Sequence, residues 1–407
     1  MKCYRLLFFS FILNTIHAFP QEGPAGSWQL SLHRDDGKNI IFNADWHTEK
    51  GRPVWIIRNA AERIRVDNIT EKGDSLIVEM PLFESVFRLK KEGDRLTGTW
   101  TKGGSLVTQV MPVTAIASGR RFPVPVEPKA DVTGRWSVAF TGKNGPEPAI
   151  AELKQQGALL TGTFLNPTGD YRYQEGVLSG DSLFLSSFDG SHAYLFTAVV
   201  DGQNRLNHGW YYSGATFKQP WLAQKNDTAA LNTDDVSMRV KPGFGNTLHF
   251  AFNDLQGRRV SITDARFRNK VVVVQLMGSW CPNCMDETAF LSDYYRKNRQ
   301  RGVEIVSLAY EYSTDTARSL KTLRKMQQRF NVTYPMLLTG VTVNDSLRTE
   351  KTLPELTAIK FFPSSVILDK KGNIRKLDTG FNGPGTGAHY ISYVKAFNDT
   401  INRLLAE

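Results

Sequence analysis

Val271-Val272-Val273-Val274-Gln275-Leu276-Met277-Gly278-Ser279-Trp280-Cys281-Pro282-Asn283-Cys284 is the stretch on which the fold of the carboxy-terminal region turns. Its unbroken β-branched run suits a strand covered on both faces. A helical stretch through Phe290, Leu291, Tyr294 and Tyr295 follows the turn. Further on, Val303 to Leu308 reads as a second buried strand and Thr314 to Phe330 as an amphipathic helix. Val366 to Leu368 and Ile374 to Leu377 read as a hairpin around Asp369-Lys370-Lys371-Gly372, and His389 to Leu405 as a closing helix. Upstream, Leu248 to Phe252 and Val260 to Ile262 flank a turn at Asp254–Gly257. Alternating strands and helices of this kind make an α/β domain.

The chain has three cysteines, and Cys3 lies in a segment that reads as a leader, so Cys281 and Cys284 can pair only with each other. A bridge closing so short a loop constrains the unfolded chain little, and thiol exchange explains the pair better than stabilisation does. At the strand-to-helix junction Cys281 sits at a helix amino terminus, where unpaired amides favour a thiolate, and becomes the nucleophile. Pro282 suits the first helical turn because the amide it lacks would have had no partner there. Cys284, one turn on and less exposed, attacks the mixed disulfide and releases the substrate. No cofactor is called for beyond this redox-active pair. Zinc would need two more ligands, and none of His33, His47, His192, His208, His249 and His389 forms a second closely spaced pair.

These residues carry a resemblance. The chain from about Gly245 to Glu407 resembles the thioredoxin-like disulfide oxidoreductases of the TlpA/ResA group, which are exported or membrane-tethered bacterial proteins. It does so through the entry hairpin, the Val-rich strand, Ser279 to Cys284, Glu287, Phe362-Pro363 with the strand after it, and Gly380-Phe381-Asn382-Gly383-Pro384. The resemblance implies a cis Pro363 facing the dithiol, with Trp280, Pro282, Phe362 and Pro363 contacting substrate. It also implies that Glu287 takes part in proton transfer at Cys284; Asp286 and Glu287 read equally as ordinary acids of a first helical turn. The Pro282-Asn283 pair differs from the Gly-Pro usual in thioredoxin, so the direction of electron flow stays open. The glycine-rich segment Gly380 to Gly387 lacks a Gly-Lys-Ser/Thr ending and reads as a turn.

Working outward, residues 24–223 read as short alternating strands, with helical character only near Ala60 to Arg65. Gly26-Ser27-Trp28, Gly73-Asp74-Ser75-Leu76 and Gly98-Thr99-Trp100 recur as Gly134-Arg135-Trp136, Gly180-Asp181-Ser182-Leu183 and His208-Gly209-Trp210, shifted by 107 to 110 residues. This predicts two antiparallel barrel- or sandwich-like repeats, 24–118 and 130–223, each filled by its tryptophans. A stiff proline-bearing linker, Ser118 to Asp131, joins them. A polar linker, 224–243, leads to the thioredoxin-like domain, 244–407.

At 407 residues, 41% hydrophobic and 22% charged, the chain excludes a disordered or collagenous protein. The formal charge of +10 is scattered and not gathered into a block, so no nucleic-acid partner is expected. Lys2 and Arg5 before the apolar run Leu6–Leu13 read as a signal peptide over residues 1–18, which places the protein in the periplasm. The leading reading is an exported thiol–disulfide oxidoreductase, acting as a reductase on protein disulfide or dithiol substrates and fed by a membrane-bound electron donor. One alternative makes the β repeats a binding module for an envelope glycan, lipid or protein. The other, a thioredoxin-fold peroxidase, is opposed by Gly278, where peroxiredoxins carry Thr or Ser.

Overall fold

The computed structural model describes residues 26–407 except Leu106 and Asp235, so the expected leader and Cys3 lie outside the described residues. From Gly26–His33 to Gln109–Ala117, nine strands form one antiparallel meander whose last strand returns to pair with the first, Trp28 opposite Ala117 and Leu32 opposite Val113. The two edges of this sheet are Glu62–Val66 and Asn68–Lys72, neighbours in sequence. Ala60 to Arg65, expected to have helical character, instead makes a turn at Ala60 (φ 49°) and enters the Glu62–Val66 strand, because its partner strand offers a ladder from Trp55↔Val66 to Asn59↔Glu62.

The second β unit closes fully. Its Gly134–Gly142 strand pairs on one side with Gly145–Gln156 and on the other with Phe217–Lys225, and Gly145–Gln156 pairs in turn with Leu159–Asn166. Closure removes the exposed edges that an open sheet presents. Trp136, Val138 and Phe140 alternate inward along the first strand. Phe196 stacks between Phe164 (4.1 Å) and Tyr211 (4.6 Å), so side chains occupy the interior. The repeat landmarks Gly98 and Gly209 share one physical reason: a Cβ there would run into the backbone oxygen of the neighbouring strand, Arg88 or Trp221.

One tryptophan departs from the expected core role. Trp100 is fully buried and donates to Ser85 Oγ at 2.7 Å. Its counterpart Trp210 follows a register shift between Leu206 and Gly209 that turns it to the outside of the second barrel, half-buried, while Tyr211 points inward. There it packs against the first barrel's hydrophobic cluster.

That cluster is shared between the two β units. Phe188 of the second barrel is fully buried against Phe42 (4.3 Å, rings 13° apart), Phe87 and Trp100 of the first. Asn59 clasps its backbone in both directions, donating to Phe188 O at 2.8 Å and accepting from Phe188 N at 3.1 Å. The expected linker is likewise packed down: Arg121 donates to Ser186 O at 2.9 Å and Phe122 stacks on Phe184.

The carboxy-terminal sheet has seven strands in the order Arg259–Ser261, Ala251–Asp254, Met336–Leu338, Val303–Ala309, Val271–Met277, Ser364–Leu368, Ile374–Thr379. Val271–Met277 runs parallel to Val303–Ala309 and antiparallel to Ser364–Leu368, and all seven of its residues are buried. Val271, Val273 and Met277 join a core with residues of α1 (Pro282–Asn298), α2 (Thr316–Phe330) and α4 (Ala388–Ala406). Val272, Val274 and Leu276 face the opposite core with Phe250, Leu353 and Leu356, beside the short helix α3 (Arg348–Thr352). This is a thioredoxin-like fold behind two all-β, barrel-like sheets.

Phe188→Ala should destabilise the two β units together, by about 3–5 kcal/mol as for other large core truncations. Denaturant unfolding followed by tryptophan fluorescence checks this, and an early transition confined to one β unit would contradict a shared core.

Candidate active site

Cys281 caps α1. Its backbone is extended (φ −102°, ψ 115°), its sulfur accepts the Cys284 amide at 3.2 Å, and Pro282 takes the first helical position. Across from it the Phe362–Pro363 peptide is cis, and Cys281 Sγ lies 3.5 Å from Phe362 O. Trp280 is fixed by three contacts: its Nε1 donates to Tyr310 O at 2.9 Å, its ring stacks on Tyr312 (5.0 Å), and Phe362 meets it edge-on. Ser279 precedes them, giving both its amide (2.8 Å) and its hydroxyl (2.6 Å) to buried Glu311. The structure thus brings Trp280, Cys281, Pro282, Cys284, Phe362 and Pro363 to one place.

Burial divides the two thiols. Cys284 is fully buried, and that burial, with Cys281 and Glu287 nearby, holds its thiol well above the ordinary cysteine value. Glu287 lies below, 1% exposed, and burial pushes its carboxyl up to about 8. Its partner is Gln275 of the central strand, whose Nε2 donates to Glu287 Oε2 at 2.9 Å. Ser307 Oγ donates to Gln275 Oε1 at 2.7 Å, which orients the amide with its nitrogen toward the acid. At neutral pH Glu287 therefore holds a proton within the core beside Cys284.

Cys281 is only 6% exposed, packed in the core of its own domain, and loops of the β units approach the residues on either side of it. On one flank the second barrel's Thr168–Asp170 turn presses on Asn283, whose Nδ2 donates to Asp170 O at 3.2 Å. On the other flank Ser191 Oγ donates to Trp280 O at 3.3 Å. Arg172, also of the second barrel and 4% exposed, donates to Pro282 O at 3.3 Å. The same guanidinium pairs with Asp286 of α1 and Glu62 of the first barrel, and lies 3.6 Å from Asp189. Asp286 thus belongs to this junction and not to the dithiol. His389 lies in the first turn of α4 and joins the second barrel by a 2.9 Å contact with Glu152.

Sequence reasoning missed Arg172, Ser191 and the 168–170 turn. Asn166-Pro167-Thr168-Gly169-Asp170 announces a turn, but nothing local says that it faces residues more than a hundred positions away.

A dithiol at the amino end of the helix that follows a central strand, opposite a cis proline, defines a thioredoxin-fold redox domain. Residues 246–377 match the AhpC/TSA family. Thiol-disulfide oxidoreductase ResA of Geobacillus thermodenitrificans is 26% identical over 131 residues, covering 32% of this chain and 66% of its own length. ResA of Bacillus thuringiensis subsp. konkukian is 25% identical over 126 residues, covering 31% and 63%. The chain therefore spans just under two thirds of these relatives. A solved putative protein disulfide isomerase from Bacteroides thetaiotaomicron is 20% identical, with a TM-score of 0.31, covering 42% of this chain and 94% of that one. The carboxy-terminal domain is TlpA/ResA-like.

Between about pH 4.5 and 8 the folded chain keeps the Glu287 proton that the unfolded chain has released, so this group makes stability fall as pH rises through that window. Glu287→Gln should flatten that decline. Unfolding midpoints at pH 5, 6.5 and 8 check it, and parallel curves for both proteins would contradict it.

Proposed function

We propose that the protein is an exported thiol–disulfide oxidoreductase that reduces substrate disulfides in the periplasm. The observation that carries this reading is Cys281 at the amino end of α1, facing the cis Pro363 loop, with Cys284 buried directly behind it. Cys281 sulfur, as the thiolate, attacks one sulfur of a substrate disulfide. The substrate S–S bond breaks, and the departing sulfur takes the electron pair and then a proton. Cys284 then attacks Cys281 sulfur, closing the Cys281–Cys284 disulfide and releasing the second substrate thiol. The ionised form of Glu287, which grows as pH rises toward about 8, is the buried acceptor for the proton lost by Cys284.

Reduction of a substrate disulfide consumes the pair's two electrons, so a donor must return them. A membrane-bound dithiol donor supplies that role in this reading. No helix among the described residues is long and apolar enough to cross a membrane. Protein disulfides or dithiols are the substrates that resemblance to the ResA proteins suggests. The filled interior of the second barrel gives a lumenal ligand no room, and the loops of the β units frame the dithiol instead. That favours a supporting role over an independent binding platform.

Cys281→Ser should abolish insulin reduction with dithiothreitol as donor, and Cys284→Ser should accumulate a mixed disulfide detectable by mass spectrometry. Glu287→Gln should slow turnover by about 10²-fold at pH 7, the scale of a lost proton-transfer group. Activity retained in Cys281→Ser would end the proposal.

A further inference from the structure

Beside Cys281 lies an open cavity of about 230 Å³. Its inner wall is Trp280, Pro282 and Phe362 of the thioredoxin-like domain; its outer wall is polar and comes from the β units, with Thr168 and His192 from the second barrel and Lys102 from the first. Lys102 ends the Arg95–Lys102 strand and is half-buried there. Among the described residues its ammonium makes no hydrogen bond and no ion pair. Burial pulls it below the ordinary lysine value, opposed only by the field of Asp189.

The acids around it are committed elsewhere. Asp189 is held by Arg172 (3.6 Å) and His192 (3.3 Å), and it accepts the backbone amides of Ser191 and His192. Asp170 accepts the Gly383 amide at 2.7 Å and the Arg172 amide at 2.6 Å. In the smaller cavity next door Glu84 is paired with Arg318, and Glu311 holds Ser279. A partly desolvated cation without a partner is costly, and a ligand that brings an anion to it recovers that cost on binding.

We propose that Lys102 is a specificity-determining residue of the dithiol site, receiving a carboxylate that the substrate carries next to the disulfide attacked by Cys281. This rests on the exchange activity proposed above and narrows its substrate class to disulfides flanked by a carboxylate. Two sources carry that chemistry: a small disulfide of the glutathione type, and a protein segment with an acidic residue beside its cysteine. The redox step is unchanged: one substrate S–S bond breaks, two thiols leave, and the Cys281–Cys284 bond forms.

The test is single-turnover reduction by the full chain, reduced beforehand with dithiothreitol and desalted. The probes are two peptide disulfides that differ only in Glu or Lys beside the cysteine, together with oxidised glutathione and its esterified form. The wild type should favour the Glu peptide, or free over esterified glutathione, by about tenfold, the scale of one charged hydrogen bond. The effect should appear in half-saturation and weaken with salt. Lys102→Gln should level the pair and Lys102→Glu should invert it, each ratio being taken within one variant so that any change in Cys281 reactivity cancels. Preference among peptides alone assigns the acidic segment; preference among glutathiones alone assigns the small disulfide. Equal rates in the wild type, or a preference that survives Lys102→Glu, would overturn the inference. A wild type that reduces none of the four probes would instead overturn the exchange activity itself.

Discussion

One buried guanidinium holds the three parts of this chain in register. Arg172 sits in the second barrel with a left-handed backbone (φ 59°) and reaches Glu62 of the first barrel, Asp286 of α1 and the Pro282 carbonyl. Burying a charge costs several kcal/mol, and the cost is recovered only when the geometry satisfies it from several sides. Here the partners come from three modules, so the charge is satisfied only when all three are docked. Breaking such a pair strands a buried charge, which typically costs about 3–5 kcal/mol. The junction therefore selects one relative arrangement.

The place of that junction matters for the chemistry. Pro282 and Asp286 belong to the first turn and a half of α1, the segment that aims the Cys284 amide at Cys281 sulfur. Whatever fixes this turn fixes the nucleophile. The β units also touch the motif on its other side, through Ser191 at Trp280, and brace α2 through Glu84 and Arg318. The dithiol is thus held from outside its own domain as well as from within it. Behind it, Cys281 caps the helix with slight exposure while Cys284, one turn further along, is sealed in the core.

How much of this was legible in the sequence depended on the range of each interaction. The thioredoxin-like region was readable because its signals are local: a β-branched run, a turn and a proline-started helix lie within a few residues. Pro363 and Glu287 were reached only through the family resemblance, since a lone X-Pro bond or a lone acid carries no such message. The Met336–Leu338 strand escaped notice because three residues show no period. Ala60 to Arg65 misled because its ladder partner, not its own propensity, decides its state. Trp210 misled for a related reason: the register shift before Gly209 reverses the side-chain alternation, and a shift of one residue exchanges inside for outside. Phe188, Arg172 and Lys102 were unreadable because their meaning lies in contacts between modules.

The pairing of a redox domain with two barrels acquires a physical rationale from these contacts. A thioredoxin-like face is shallow, with an apolar wall built from Trp280, Pro282 and Phe362. Such a wall holds any extended segment about equally well, and discrimination needs polar groups placed around it. A β-barrel loop can supply them only if the barrel cannot swing, because a charge displaced by a few ångströms loses both its strength and its selectivity. The Phe188 core, the packed Arg121–Phe122 strap and the Arg172 junction remove that freedom in turn. The β units can therefore act as fixed walls of the site, and the site's reach is set by the gap they leave above Cys281.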